Sequence, residues 1–355
     1  MTVYDEFFSL VCLGIEHQVY ALLENVNWQD MRTLAAQQGL SAVALDGIEK
    51  LPEQYRPSKV FMLEWIGETL QCYEYRYELY CRTITEMAAF YNSHGYRMMV
   101  LKGYACSLEW PKPEHRPCGD IDIWQFGEQK AADALLAKEK GIKIDTSHHH
   151  HTVFDWNGFT VENHFDFINV HHHKSHKSFE RILKQLGEDD SHFVEVYGEK
   201  VYLPSPNLHA LFLLKHLILH FISEGITLRH VLDWAFFVQK NGKEVDWDRL
   251  LPVLEEYHMR DFFSIINAIC VEDLGFEKDF FPDIGVDSSV KGRVLNDIMK
   301  PEFEEEEPRG FVARALLRYR RWKANGWKHK LCYEESMWSA FWSGVWNHLL
   351  KPSSI

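Results

Sequence analysis

The sequence predicts an α+β protein in which a small mixed β-sheet is flanked, along the chain, by helical regions. An apolar run at 98–101 precedes a second, alternating run at 119–124, and an Asn157-Gly158 pair separates two further β-rich runs. Apolar residues at helical spacing dominate the chain on either side of these runs. We therefore expect three parts: an N-terminal helical region over 1–94, a β-containing core over 95–203 and a C-terminal helical region over 204–355.

The composition is that of a globular protein with a sizeable core. Of the 355 residues, 46% are hydrophobic and 25% are charged. The net charge of -14 argues against generic DNA or RNA binding, which needs a basic surface. No uncharged apolar run reaches the roughly 18 residues of a membrane span, so we expect no membrane partner.

The cysteines and the N-terminal residues indicate the compartment. The seven cysteines include no C-x-x-C pair, which argues against a structural zinc site of that type. An odd number of scattered cysteines is typical of reduced thiols. The first residues, MTVYDE, lack the basic start of a signal peptide. We therefore expect a cytoplasmic protein.

The helical regions are predicted from amphipathic spacing. Residues 5–23 have this spacing, and residues 57–94 predict one long helix whose many aromatic side chains pack inward. In the core, Gln129–Lys140 predicts a helix that ends near Gly141. Residues 193–203 predict a hairpin that turns at Gly198-Glu199, and residues 208–222 predict a buried helix.

The rest of the chain is organised around residues 98–124. The apolar run at 98–101 has strand character and breaks at Lys102-Gly103, where glycine permits a tight turn and a close approach to a ligand. A short segment that could form one or two helical turns follows, and then a proline-rich loop that carries Arg116. The run at 119–124 predicts a second strand.

Two aspartates in this second strand point to metal chemistry. Asp120 and Asp122 share one face because alternate residues of a strand do so, and their Cα atoms lie roughly 6–7 Å apart. Two such carboxylates can share divalent cations, and hard oxygen ligands suit Mg²⁺ or Mn²⁺. The alternative is a solvated edge strand with two surface acids, which the pair alone favours. The neighbouring Lys102-Gly103 turn and Arg116 favour the metal site.

The Asn157-Gly158 pair predicts a two-residue type I′ hairpin turn. Such a turn pairs Trp156 with Phe159 and then Phe154 with Val161, which places these apolar side chains on one face. Polar side chains occupy the other face: Asp155, Thr160, Glu162, His164 and, opposite His164, His151.

In this arrangement the chain resembles the polymerase-β-like nucleotidyltransferase superfamily. The resemblance rests on LKG at 101–103, Arg116 and GDIDI at 119–123, and it points to the bacterial uncharacterised nucleotidyltransferases with an LKG…R…DIDI signature. The segment Val161-Glu162-Asn163-His164 also resembles the hydrophobic-Glu-x-His piece of that family. The implied fold is a nucleotidyltransferase palm between helical regions.

The resemblance implies a role for each of these residues. Asp120, Asp122 and a third acid on a later strand would hold two metal ions, with Glu162 as the third acid and Asp166 as its runner-up. The Gly103 turn would hold nucleotide phosphates. Many members of the superfamily continue from the glycine to a serine, whereas this sequence has Lys102. Lys102 could supply a phosphate-binding charge instead. Arg116 would reach the phosphates or the acceptor.

The implied function is metal-dependent transfer of a nucleoside monophosphate from an NTP to an acceptor hydroxyl, with Mg²⁺ or Mn²⁺ as cofactor. The acceptor stays open among small molecules, proteins and RNA ends. Two alternatives come from other classes: a non-catalytic nucleotide- or partner-binding protein of the same fold, and a histidine-based metallohydrolase that uses His151, His164 and the aspartate pair.

Further polar residues are possible accessories. His151 and His164 beside Glu162 are equally compatible with a functional and a structural role. For the other core histidines, at 148–150 and 171–173, a solvated loop is the favoured interpretation. His216 and His220 have the i, i+4 spacing of helical metal ligands but lack the glutamate of H-E-x-x-H, so buried, hydrogen-bonded imidazoles are favoured. Arg229 and Asp233 predict an ordinary helical ion pair, although the resemblance favours a place at the cleft.

Overall fold

The structure of the protein is a computed structural model. It describes residues 2–17, 26–171, 173–301 and 310–335. Residues 18–23, the last part of the helical segment predicted over 5–23, lie outside the described residues. The chain divides into two compact units: the first comprises Met1–Met62 and Leu213–Ser339, and the second Leu63–Phe212 and Ala340–Ile355.

The helices account for most of the described chain. In the first half they are α1 (Val3–Gly14), α2 (Trp28–Gln37), α3 (Ser41–Lys50), α4 (Lys59–Thr69), α5 (Tyr75–Ser93), α6 (Lys102–Ser107) and α7 (Gln129–Lys140). In the second half they are α8 (His176–Gly187), α9 (Pro206–Ser223), α10 (Leu228–Asn241), α11 (Trp247–Glu256), α12 (Arg260–Ala268), α13 (Ser288–Met299), α14 (Phe311–Ala324) and α15 (Gly326–Cys332).

The second unit contains a six-stranded mixed sheet with the order β3-β4-β2-β1-β6-β5. Its strands are β1 (Met99–Val100), β2 (Ile121–Trp124), β3 (His151–Trp156), β4 (Phe159–His164), β5 (Phe193–Val196) and β6 (Glu199–Tyr202). Strands β2 and β4 pair in parallel, as do β1 and β6, whereas the three remaining pairs are antiparallel. The predicted α+β class with a mixed sheet is therefore confirmed.

One face of this sheet is covered by α5 and α7. The two helices contribute buried apolar side chains such as Ile84, Tyr91 and Leu136 to a cluster with the sheet. Ile121 and Ile123 of β2 belong to the same cluster and are fully buried. Because alternate residues of a strand point to opposite faces, this packing directs Asp122 to the other face of the sheet.

Several elements differ in detail from the predictions. Residues 59–93 do form continuous helical structure, but a π-helical segment, Leu70–Glu74, joins α4 to α5. The hairpin of β5 and β6 turns at Tyr197-Gly198 rather than at Gly198-Glu199, because both Tyr197 (φ 48°) and Gly198 (φ 88°) adopt the positive φ of the turn. The division into three regions at 94 and 203 stays a prediction.

None of the helices in the described part of the chain is long and apolar enough to cross a membrane.

Candidate active site

Two carboxylates lie opposite each other on neighbouring strands. Asp122 of β2 is the Cα partner of Glu162 of β4 in the parallel ladder. Their neighbours Ile121 and Val161 enter the core, which leaves both acidic side chains on the other face. Adjacent strands lie only ~4.8 Å apart, so the two side chains share one site.

Lys102 and His164 both bind the Asp122 carboxylate. The Lys102 Nζ atom lies 2.7 Å from Asp122 Oδ1, and the His164 Nε2 atom lies 3.1 Å from the same oxygen. His164 Nε2 also lies 3.6 Å from Glu162 Oε2. Lys102 arrives here because β1 runs beside β2, where the Leu101 amide donates a 2.9 Å hydrogen bond to the Asp122 carbonyl.

The charges in this group stabilise one another. Burial disfavours an ionised Asp122, but Lys102 and His164 hold the pKa of this carboxyl well below its usual range. Burial likewise opposes the charged form of His164, yet its hydrogen bond to Asp122 and its ion pair with Glu162 raise the pKa of His164 to about 9. The imidazole is therefore protonated at neutral pH when no other cation is bound.

Asp120 precedes β2 by one residue and is exposed to solvent. Desolvation raises the pKa of Asp120, and so do the nearby carboxylates of Glu162 and Asp122. The Asp120 carbonyl accepts a 3.0 Å hydrogen bond from the Tyr80 hydroxyl, which fixes the backbone at the start of the strand. Three acidic side chains thus lie within electrostatic range of one another.

The turn that carries Lys102 has an unusual backbone. Lys102 adopts a φ of 28°, a region that non-glycine residues rarely occupy. Gly103 follows within α6, where a Cβ atom would lie 2.3 Å from the Tyr80 hydroxyl oxygen. Gly103 is therefore required for the close approach of Tyr80, and the close approach of a ligand that we predicted for it remains a prediction.

Histidines surround Glu162 at the end of the hairpin. His151 is the cross-strand partner of His164, as predicted, and its Nδ1 atom lies 3.8 Å from Glu162 Oε2. Burial lowers the pKa of His151. The ring of His150 lies 4.3 Å from the ring of His151 and 5.6 Å from that of His164.

Asp166 and Arg116 occupy different surroundings. The Asp166 carboxylate is bound by the Lys184 ammonium, and the Asp166 carbonyl accepts a 3.2 Å hydrogen bond from His164 Nδ1. Arg116 is only 5% exposed, and its Nη1 atom donates a 3.2 Å hydrogen bond to the Pro117 carbonyl. Their predicted roles at the site stay predictions.

The remaining accessory candidates lie in the first compact unit, whereas the carboxylates lie in the second. The rings of His216 and His220 are in contact, with centroids 4.3 Å apart. Arg229 Nη1 lies 3.1 Å from Asp233 Oδ2, which confirms the predicted helical pair. Their place at a nucleotide site stays a prediction.

The donor atoms at the carboxylate group suit a divalent cation. Asp122, Glu162 and His164 each offer one ligand atom, and these atoms all lie within 4.8 Å of one another. The raised pKa of Asp120 has its neighbouring carboxylates among its causes, so the acidic groups repel one another. A cation with a preference for oxygen ligands would relieve this repulsion, as Mg²⁺ and Mn²⁺ do in carboxylate sites.

Two residues of this region could not be singled out from the sequence. Tyr80 lies among many aromatic residues of a long helical segment, and nothing in the sequence distinguishes its hydroxyl from the others. His150 is one of the core histidines for which the sequence predicts a solvated loop, although the hairpin prediction places His151 opposite His164. Extending that register by one residue would have brought His150 to the same end of the strands.

The comparison with protein families agrees with the resemblance seen in the sequence. Residues 24–275 match the family described as uncharacterised nucleotidyltransferase. A solved antigenic nucleotidyltransferase-like protein from Paracoccidioides brasiliensis is similar over 44% of this chain and 74% of its own, with 16% identity and a TM-score of 0.32. The comparison with curated proteins gives no match. Since the family match covers most of the sequence, the chain belongs to the family of uncharacterised nucleotidyltransferases.

Proposed function

We propose that this protein is a metal-dependent enzyme that transfers a nucleoside monophosphate from an NTP to an acceptor hydroxyl. The observation that carries the proposal is the pairing of Asp122 with Glu162 across two parallel strands, with Asp120 two residues upstream. The family membership supports the reaction class. Mg²⁺ or Mn²⁺ is the cofactor that this donor set favours.

Asp120, Asp122 and Glu162 would hold the divalent cations. Bound cations of this kind neutralise charge on the triphosphate and on the attacking and leaving oxygens. Phosphoryl-type transfer depends mainly on positioning and charge stabilisation, so the protein needs few other reactive groups.

Lys102 would contribute a positive charge for the phosphates. Its ammonium already lies 2.7 Å from Asp122, next to the carboxylates where the triphosphate would bind. The Lys102-Gly103 turn lies directly after β1. Because β1 pairs with β2, which carries Asp122, the sheet holds this turn next to Asp122. Arg116 is the second candidate for a phosphate contact.

Glu162 is the candidate base for the acceptor. Burial opposes its ionised form, but the ion pair with His164 lowers the pKa of Glu162, which therefore stays ionised at neutral pH. The acceptor oxygen would form a bond to the α-phosphorus as the bond to pyrophosphate breaks, and the proton would pass to the Glu162 carboxylate.

The test is nucleotide binding by calorimetry. The wild-type protein is titrated with each of the four NTPs, with and without Mg²⁺, beside the Asp120→Asn/Asp122→Asn double variant. We expect Mg²⁺-dependent binding of at least one NTP by the wild type, and its loss in the double variant, because two of the three proposed ligands lose their charge.

A matched control is Asp155→Asn. Asp155 lies on β3, where its Oδ1 atom accepts a 3.2 Å hydrogen bond from the Gly158 amide, and asparagine can accept the same bond. This variant should bind NTP as the wild type does. Absence of NTP binding in the wild type, or equal binding in the Asp120→Asn/Asp122→Asn variant, would refute the proposal.

A further inference from the structure

Three imidazoles converge at the end of the β3–β4 hairpin. His150, His151 and His164 each offer one ring nitrogen, and the three nitrogens all lie within 4.8 Å of one another. His151 and His164 face each other across the antiparallel ladder, with ring centroids 5.3 Å apart. The set combines one residue from β4, one from β3 and one from the residue just before β3.

The backbone holds these three residues in place. Strands β3 and β4 pair over six residues on each side, with His151 opposite His164 at the end of the ladder. The His150 carbonyl accepts hydrogen bonds from the amides of Phe165 (3.0 Å) and Asp166 (3.1 Å). The position of His150 is therefore tied to the segment that follows His164, so the cluster does not depend on a free loop.

The cluster is largely buried but keeps one approach from solvent. His164 is 2% exposed and His151 is 7% exposed, whereas His150 is partly exposed. Within the described part of the chain, His151 Nδ1 is a buried nitrogen that has no hydrogen-bond partner. Buried polar atoms normally have such a partner, so this nitrogen is available to bind a metal ion.

The donor chemistry differs from that of the carboxylate group. Imidazole nitrogens suit Zn²⁺ and the neighbouring first-row transition metals, whereas Mg²⁺ and Mn²⁺ prefer oxygen. Two nitrogens bound to one Zn²⁺ at ~2.0–2.1 Å lie roughly 3.4 Å apart in a tetrahedral arrangement. Small rotations of the three rings would close the present spacing, and His150 has the most room for them because it is partly exposed.

We propose that His150, His151 and His164 form a transition-metal site of the Zn²⁺ type, which shares His164 with the donor group of the carboxylates. Three protein ligands leave a fourth position open for water or another ligand. Glu162 lies beside this site, with its Oε2 atom 3.8 Å from His151 Nδ1 and 3.6 Å from His164 Nε2. Its negative charge would favour a cation held by these imidazoles.

The site does not depend on the proposed transferase reaction, but it would affect the same residues. His164 belongs to both donor groups and currently bonds Asp122 through Nε2. A metal ion held by the three imidazoles would therefore bind next to the carboxylates and alter the charge that His164 presents to them. Zn²⁺ would be a ligand of this protein even if no NTP binds.

The test is metal binding by the purified full chain, stripped of metal with a chelator. Zn²⁺ affinity is measured by competition with a chromophoric chelator, and coordination is read from the visible absorption of the Co²⁺-substituted protein. We expect one tight Zn²⁺ equivalent and an intense, tetrahedral-type Co²⁺ spectrum. His150→Ala and His151→Ala should each weaken the tight site by roughly tenfold or more, since each removes a ligand.

His149→Ala is the matched control. His149 is the sequence neighbour of His150, but its ring lies 5.6 Å from His171 and it is not part of the three-nitrogen group. This variant should keep the affinity and the Co²⁺ spectrum of the wild type. Circular dichroism of each variant shows whether it folds, and His150→Ala is the safer variant because His150 is only partly buried.

A second variant separates the two cation sites. Asp122→Asn removes a carboxylate ligand and leaves all three imidazoles, so the tight Zn²⁺ equivalent and the Co²⁺ spectrum should persist. Loss of the spectrum in Asp122→Asn with its retention in His150→Ala would place the ion among the carboxylates and overturn the proposal. Equal Zn²⁺ affinity in the His149→Ala and His150→Ala variants would overturn it as well.

Discussion

Gly103 and Tyr80 connect the turn of α6 to the start of β2. The Tyr80 hydroxyl is buried, with its residue 1% exposed, and it donates a 3.0 Å hydrogen bond to the Asp120 carbonyl. A Cβ atom at position 103 would lie 2.3 Å from that hydroxyl oxygen and 3.4 Å from the Asp120 carbonyl oxygen. Even a methyl group at this position would therefore disturb the hydrogen bond between Tyr80 and Asp120, just before β2.

Gly103→Ala should lower the free energy of unfolding by about 1–3 kcal/mol, as overpacking of a closely packed site does. The Tyr80→Phe variant should lose about 1 kcal/mol for its single hydrogen bond. The double variant should be less destabilised than the sum of the two, because removal of the hydroxyl makes room for the new methyl group. Urea denaturation of the four proteins measures this coupling, and strictly additive losses would contradict the contact.

Among the elements, the β3–β4 hairpin carries most of the site. Asn157 and Gly158 both adopt positive φ, 53° and 78°, as a type I′ turn requires. This turn sets the register that places His151 opposite His164 and Val153 opposite Glu162. A shift of one residue would send Glu162 to the apolar face, so the turn fixes the site as well as the fold.

Gly158→Ala should destabilise the protein by about 1–2 kcal/mol, because alanine pays a steric penalty in the left-handed region. The penalty is conformational, since a Cβ at position 158 would meet no atom within 4 Å. Gly67→Ala is the control. Gly67 lies in α4, its φ is not positive, and a Cβ there would also have no atom within 4 Å. Alanine favours a helix more than glycine does. Thermal unfolding should show a lower Tm for the first variant and an unchanged or higher Tm for the second.

The hairpin could be predicted in full because its information is local. The Asn-Gly pair sets the turn, and alternation then assigns every side chain of β3 and β4 to a face. The parallel pairing of β2 with β4 was beyond sequence reasoning, since the two strands are separated by α7 and β3. That pairing brings Asp122 next to Glu162. Sequence patterns therefore identify each acid separately, whereas the fold shows that the two acids are paired across β2 and β4.

The same limit applies to contacts with helices. The apolar spacing of residues 57–94 predicted a buried face, which α5 supplies, but it could not show that Tyr80 would reach the Asp120 carbonyl. Likewise, the Lys-Gly turn predicted a break after the first strand, yet the ion pair of Lys102 with Asp122 depends on the β1–β2 register. Local chemistry therefore predicted the residue types, whereas long-range packing decided their partners.

At the scale of the whole molecule, we expect a buried amine in the first compact unit to make stability depend on pH. Lys215 of α9 is 2% exposed, and its Nζ atom donates a 2.9 Å hydrogen bond to the Tyr333 hydroxyl. Desolvation lowers the pKa of Lys215 to about 7, although the charge of Glu335 opposes this shift. Burial raises the pKa of Cys332 and of Tyr333 far above this value, so neither residue titrates in the same range.

This shift predicts how stability changes with pH. The pKa of Lys215 is about 7 in the folded protein and 10.5 as its ordinary value, so between these values the unfolded chain binds more protons. Stability should therefore rise with pH through this window, by up to about 1.4 kcal/mol per pH unit from this residue. Lys215→Met removes the amine at similar volume and should be more stable than the wild type at pH 7, with the difference shrinking toward pH 10. Urea denaturation across that range measures the difference, and a constant gap between the two proteins would show that Lys215 keeps its ordinary pKa in the fold.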